Sequence, residues 1–451
     1  MHVEKLLGAL CASFAMVVVG CGAKSGLPIP DEEPAPAPAP PDFGVSVPYG
    51  APPAGARVLS FATTTIKQVD VAFSVDTTGS MGPSIDGLES TLTTTVLPDL
   101  ETSIPNVGFA IVDHKDSETG DPWTVKVRQT ITTDVDTARA AVSAMTAAGG
   151  GDEPEAQEES MLHVLTGQAI DSSPVVDAHV PLPGTSGAVD FRAGALPVVV
   201  EITDAHWHDA TTVPWTSGTG DTVTIDAVGS AFLAAHARFV GVTDMHAPTD
   251  EPFPILTQPN ALSDATGSNV PVDAFHGACG EGMCCTGKGG AATTPDGPGG
   301  TCRLNFQIMN GAGLTESLVS AIQTLSVGTN LDIFASASND DTNALDADGK
   351  PVDATKFIKV LRAMEEGDAS EGCVPHAAKD TDGDGVKDTF LNVTVGTHVC
   401  FEVVPSTNDF VEPKAMPQTF YAFVNILGLP GSITLDRRRI AFTVPAMADP
   451  A

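Results

Sequence analysis

Residues 69–81 read VDVAFSVDTTGSM, and most of what this chain is follows from them. Val69 to Val75 is a short, nearly continuous apolar run rich in Val, which predicts a strand buried on both faces. It stops at Asp76. Small and polar residues follow, and then Ile85, Leu88, Leu92 and Val96 recur at four- and three-residue spacing, which predicts a helix. Buried strand, tight polar turn and helix are how open α/β sheets build ligand sites, in the crevice outside the carboxyl ends of the strands. The turn carries D-x-[ST]-x-S. Asp76, Thr78 and Ser80 offer three hard oxygen donors, a set suited to Mg²⁺, Ca²⁺ or Mn²⁺ and not to soft metals. The bland reading of the same residues is a helix start, with Asp76 and Ser80 merely capping backbone N–H groups.

The pattern repeats along the chain. Leu196 to Ile202 (LPVVVEI) predicts a second buried strand and ends in Thr203-Asp204; Val107 to Asp113 (VGFAIVD) predicts another. Between them lies Gly149-Gly150-Gly151-Asp152-Glu153-Pro154-Glu155. Ala227, Val228, Ala231, Phe232 and Ala235 put one apolar face on a helix over 224–238, Phe239 to Val242 reads as a strand, and Leu314, Leu318, Ile322 and Leu325 mark a last helix. Alternating strands and helices predict a doubly wound α/β domain.

In this order and with these motifs, residues 67–327 resemble the von Willebrand factor A-type fold with its metal-ion-dependent adhesion site. The resemblance implies that Asp76, Thr78 and Ser80 form the first metal loop and that Asp204 is the distal metal-site Asp. Most members of the family offer a Thr in the middle loop. The D-x-P-E here looks more like the A-type domain of integrin β subunits, where the Glu after the Pro contacts the metal; Glu155 matches it. The same likeness implies a second cation held by Asp113, Asp152, the Pro154 carbonyl and Glu155, although Gly150 stands where the integrin loop usually has Asn. A third integrin site needs acidic residues where this chain has Pro83 and Ser84, and is not expected. Leu262 to Ser268 (LSDATGS) resembles the family's late LA-x-x-TGG turn. For function, the resemblance implies Mg²⁺- or Mn²⁺-dependent binding of a protein ligand that offers an acidic side chain.

Residues 328–451 read differently. Short alternating runs at 390–395, 399–404, 419–426 and 440–444, separated by turn residues, predict a β-sandwich-like domain. Residues 46–66 contain a further strand-like stretch. In integrin β subunits the A-type domain is inserted into a sandwich, which implies that this strand joins the C-terminal one. Within the region, Asp380, Asp382, Asp384 and Asp388 alternate at positions 1, 3, 5 and 9 of a loop with Gly385 at position 6. That is the spacing of an EF-hand-type Ca²⁺ loop, where the Val386 carbonyl supplies position 7. Leu391 stands at position 12, so the loop looks closer to the thrombospondin type-3 or dockerin-like loops. The alternative is a solvated acidic turn.

Composition narrows the function. There are 57 Asp and Glu against 22 Lys and Arg, a formal charge of −35, which repels phosphate backbones and excludes non-specific nucleic-acid binding. No HExxH, GxSxG or P-loop is present. His206 and His208 near Asp204 read as polar loop residues before they read as catalytic ones, so binding is expected rather than catalysis. The weighed alternatives are a calcium-stiffened scaffold without an active adhesion site and a metal-dependent hydrolase.

Residues 6–19 form an apolar run of 14, too short for a spanning helix of ~20 residues and suited to a signal segment over 1–20. It ends in Val18-Val19-Gly20-Cys21, which resembles the bacterial lipobox. That implies lipidation at Cys21 and, with Gly22 rather than Asp next, a lipid anchor in the outer membrane, on either its periplasmic or its cell-surface side. Residues 21–45 then read as a Pro-rich extended tether. Six cysteines remain after Cys11 and Cys21. Cys373 and Cys400 bracket one segment and are expected to pair, and Cys279, Cys284, Cys285 and Cys302 crowd an insertion at 276–304 where three pairings are open.

Overall fold

Gln68–Asp76 is the strand on which the first sheet is built. The computed structural model describes residues 40–447 apart from 63–65, 67, 117–119, 152–153, 213–222, 246–254, 276–277, 310–314, 329, 347, 395–396 and 430–432. The expected signal segment, Cys21 and the tether up to residue 39 therefore lie outside the described residues, as does Leu314. Across the sheet the strands run Asn305–Ile308, Arg238–Asp244, Leu196–Thr203, Gln68–Asp76, Asn106–His114 and Val125–Thr132. The first five are parallel. The last pairs antiparallel and closes one edge. Because side chains alternate along a strand, Val69, Val71, Phe73 and Val75 enter one core with Leu88, Leu92, Val96, Ala138 and Ile322. Ala72 enters the other with Ala110, Val112, Met161, Phe232 and Phe239. Helices thus cover both faces, the doubly wound α/β arrangement expected.

Helix ends follow local chemistry. Ile225–Ala235 starts at Thr224, whose side chain accepts from the Ala227 N–H, and stops at His236 in the left-handed region. The helix after the Asp76–Ser80 turn runs as Gly82–Thr91, a widened π turn Leu92–Val96, and Leu97–Ser103. Pro98 has no N–H for the carbonyl four residues before it, and the Thr93 and Thr94 hydroxyls bond back to Glu89 and Ser90 carbonyls, so the regular ladder is interrupted there. Among the described residues no helix is long and apolar enough to cross a membrane.

The last helix, Thr315–Gly328, leads into Asn330–Asn339, a strand of a second six-stranded sheet ordered Phe43–Ser46, Ile433–Val444, Gln418–Leu429, Asn330–Asn339, Thr389–Thr394 and Ala378–Lys379. Phe43–Ser46 begins inside the stretch read as tether and pairs with Ile440 to Thr443. A three-stranded sheet carries Ile358–Ala363, His398–Pro405 and Arg57–Ala62. Arg57–Ala62 precedes the α/β sheet in the chain yet pairs antiparallel with His398–Pro405. The two C-terminal sheets meet through Phe390 and Phe401, whose rings lie edge to face 5.1 Å apart. Gln418–Leu429 buries every second residue, Phe420 to Ile426, against this core.

All six remaining cysteines are in disulfides: Cys279–Cys285, Cys284–Cys302 and Cys373–Cys400. The adjacent Cys284 and Cys285 take different partners, so the Gly-rich insertion is closed by two overlapping loops that stand in for an apolar core of its own.

Candidate metal centre

Strand pairing does the first part of assembling the site. Asp76 ends the Gln68–Asp76 strand, and Asp204 directly follows Leu196–Thr203, its parallel neighbour. Asp76 is fully buried. Its Oδ1 accepts from the Thr78 N–H at 2.8 Å and the Thr78 hydroxyl at 2.7 Å, and its Oδ2 accepts from the Thr203 hydroxyl at 2.8 Å. Thr78 Oγ1 lies 3.1 Å from Ser80 Oγ, which donates to Asp204 Oδ1 at 2.9 Å. Glu155 is brought in by its backbone: its N–H donates to the His206 carbonyl at 2.9 Å, and its carbonyl accepts from the His208 N–H at 3.0 Å. Its side chain hydrogen-bonds Thr78. Asp76, Thr78, Ser80, Glu155 and Asp204 therefore converge.

Asp76 takes one backbone N–H, that of Thr78, but the hydroxyls of Thr78 and Ser80 do not cap the helix. Neither the short turn Gly79–Met81 nor the helix Gly82–Thr91 has a side-chain cap. The oxygens are turned toward one another, which disfavours the bland reading. The glycines of the middle loop explain how the two loops approach. Gly79 N–H donates to the Gly149 carbonyl at 2.8 Å. Gly150 has a φ of +73°, and a Cβ there would come 2.8 Å from Thr78 Cβ and 3.0 Å from Glu155 Oε1. The Gly149–Gly151 run is a close-approach device that reading the sequence for donors passes over.

Electrostatics marks Glu155. It is 3% exposed, and its Oε2 has no hydrogen-bond partner among the described residues. Burial first, then the charges of Asp76 and Asp116, push its carboxyl up to about 10, against the lowering effect of the Thr78 hydrogen bond. Hard oxygens, an orphaned buried carboxylate oxygen and hydroxyls left uncommitted to capping fit a hard divalent cation. Carboxylates and hydroxyls alternate here, Thr78 and Ser80 lying between the acids. Among the described residues, the group of three acidic side chains with oxygens all within 4.8 Å of one another is Asp380, Asp382 and Asp384.

The second cation set is described only in part, and the buried Asp113 Oδ1 has no hydrogen-bond partner among the described residues. Asp152 lies outside the described residues. Asp113 is fully buried and its Oδ2 is bound by Arg128 Nη2 at 2.5 Å, so a protein cation stands where the resemblance implied a metal. Reading the sequence missed Arg128. It also missed Lys115, which donates to the Thr77 and Ala148 carbonyls, and Asp121 and Asp116, which accept from Gly150 and Gly151 N–H at 2.9 and 3.3 Å. The only signal was basic residues close after Asp113 in an acidic chain. Beneath the site, His114 Nε2 and Glu201 Oε1 lie 2.6 Å apart, both side chains fully buried. His208 is buried too and serves the Glu155 backbone, as above.

The acidic loop at 380–388 is closed by the pairs Ala378 with Phe390 and Lys379 with Thr389. Asp380 accepts from Gly383 and Gly385 N–H at 2.7 and 2.8 Å, and these bonds hold its carboxyl below the usual range. Val386 N–H donates to Asp384 Oδ1. Asp388 is committed elsewhere: Thr381 and Thr389 hydroxyls each donate to its Oδ1 at 2.6 Å.

The strand order and the site at the strands' carboxyl ends define a doubly wound α/β domain with its candidate site at the sheet edge. No protein-family model and no curated protein matches the chain. Among solved structures it is similar to a von Willebrand factor type A protein from Catenulispora acidiphila, with 13% identity, 90% of this chain and 72% of that one covered, and a TM-score of 0.33. That likeness is distant, and the class rests on topology instead.

Proposed function

We propose that this protein binds a protein partner through a divalent cation held at the carboxyl edge of its α/β sheet. Thr78, Ser80 and Glu155 would hold Mg²⁺ or Mn²⁺ directly, with Asp76 and Asp204 acting through water. When bound, the ion supplies an exchangeable position for an acidic side chain of the partner. The residues of the chain do the rest: Asp76 orients Thr78, Asp204 orients Ser80, and the strand-like tie to 206–208 keeps Glu155 over the loop. The observation that carries the reading is the convergence of Ser80 and Asp204 with a buried Glu155 oxygen that no group among the described residues satisfies. The −35 charge opposes an acidic partner, but salt screens it beyond ~8 Å and the local dication reverses its sign.

The loop at 380–388 is read as a Ca²⁺ site that stiffens the C-terminal sheets, which together form a β-sandwich. The N-terminal segment is read as a lipoprotein signal with Cys21 lipidated, placing the protein on the outer membrane. Binding, not turnover, is the activity proposed. The test is capture of cell-surface proteins in Mg²⁺ followed by chelator elution, with wild type and Asp76→Ala side by side. Capture lost in the variant and released by chelator supports the reading. Capture indifferent to both leaves a calcium-stiffened scaffold.

A further inference from the structure

The neighbourhood of Asp113 carries one more step. Asp113 is fully buried, and Arg128, whose side chain is 10% exposed, binds its Oδ2. Arg128 also donates to the Ala144 carbonyl at 2.9 Å. Lys115 is 2% exposed and joins two backbone carbonyls, Thr77 from the metal loop and Ala148 from the glycine loop. Both cations flank the Trp123 ring, each 5.6 Å from its centroid. A divalent ion in this place would collect the same kinds of donor: a buried carboxylate and backbone carbonyls bridging the two loops.

We propose that Arg128 and Lys115, as fixed protein cations, take the place of a second metal ion beside the first. A guanidinium presents a planar fork to a carboxylate, and an ammonium presents several donors to carbonyl oxygens, so the pair divides between two side chains what one ion does alone. Neither is removed by a chelator. The Ala148–Gly151 stretch therefore stays docked on the Thr77–Ser80 loop when divalent ions are stripped, and one ion suffices at the sheet edge. An additional dication at Asp113 is repelled by two charges already in place.

The inference extends the proposed metal centre to its neighbour, and its test does not require that centre to be filled. Anomalous diffraction from Mn²⁺-soaked crystals of the full chain locates each ion. In the wild type no ion lies within coordination distance of Asp113. In Arg128→Gln, with the guanidinium gone, one ion appears there. Lys115→Met is the second variant should Arg128→Gln fail to fold, and gives the same gain. Mn²⁺ beside Asp113 in the wild type overturns the proposal, as does an ion-free Asp113 in the folded variants. Mn²⁺ absent from Asp76, Ser80 and Asp204 but gained at Asp113 only in the variants would sink the metal-centre reading and leave this one standing.

Discussion

Ser80 Oγ donates a 2.9 Å hydrogen bond to Asp204 Oδ1 across 124 positions of sequence. The bond exists because the strands ahead of the two residues are parallel neighbours, which delivers both loops to one edge. Asp204 is 9% exposed, and its carboxylate positions the hydroxyl proposed to meet the metal. Groups that orient metal ligands typically matter by ~10–100-fold in affinity. Asp204→Ala is therefore expected to weaken Mn²⁺ binding by at least ~10-fold, measured by titration calorimetry, while the chelator-treated variant unfolds at nearly the wild-type denaturant midpoint. Unchanged affinity would remove Asp204 from the site.

The parts of this site visible in the sequence are those whose residue types carry chemistry at fixed spacing. Asp76, Thr78 and Ser80 lie on one turn, and Val69 to Val75 announces its own burial. Asp204 and Glu155 are legible only through the family resemblance, which assigns a role to a strand-end Asp and to the Glu of D-x-P-E. Arg128 was not visible: it sits on Val125–Thr132, an edge strand of mixed burial, and only the antiparallel pairing with Asn106–His114 brings it to Asp113. The glycines are not legible as a contact surface, since their role depends on Thr78 from another loop. Cysteine pairing was legible where two residues bracket one segment, and open where four crowd a loop, because only the folded path decides which sulfurs meet.

Glu155 gives a pH dependence with a definite sign. Its folded pKa is raised from 4.5 to about 10, so between those values the folded chain holds a proton that the unfolded chain has released. Stability of the metal-free protein is full below the lower value and falls as pH rises through the window, by up to ~1.4 kcal/mol per pH unit. Urea unfolding in chelator across this range should show that slope in the wild type and its loss in Glu155→Gln. Binding of Mg²⁺ at neutral pH should release up to about one proton per ion, seen by calorimetry in buffers of different ionisation heat. Equal slopes in wild type and Glu155→Gln would contradict the assignment.

Cys373–Cys400 closes a loop of sequence separation 27 and ties the turn after Ile358–Ala363 to His398–Pro405. Chain-entropy arguments give a loop of that size ~3–4 kcal/mol. The double variant Cys373→Ala, Cys400→Ala should lose about that much in denaturant unfolding while keeping Mn²⁺ affinity, because the bond lies in the C-terminal sheets. A shift well below ~1 kcal/mol would show that the sheets hold without it.

The 380–388 loop separates two roles that the sequence spacing runs together. Asp380, Asp382 and Asp384 bring oxygens within 4.8 Å of one another, whereas Asp388 accepts from the Thr381 and Thr389 hydroxyls and so closes the base of the loop. Ca²⁺ binding only the folded chain stabilises it by ~2.7 kcal/mol at 100 times the dissociation constant. Thermal melts should therefore rise with Ca²⁺ in the wild type and in Asp76→Ala, and stay flat in Asp384→Asn. Asp388→Asn should lower the calcium-free melting point, since hydrogen bonds at the hairpin base are weakened, yet keep most of the rise. If Asp388→Asn instead abolishes the response and Asp384→Asn retains it, position nine is the ligand that matters and the loop must rearrange around the ion, freeing Asp388 from both threonines.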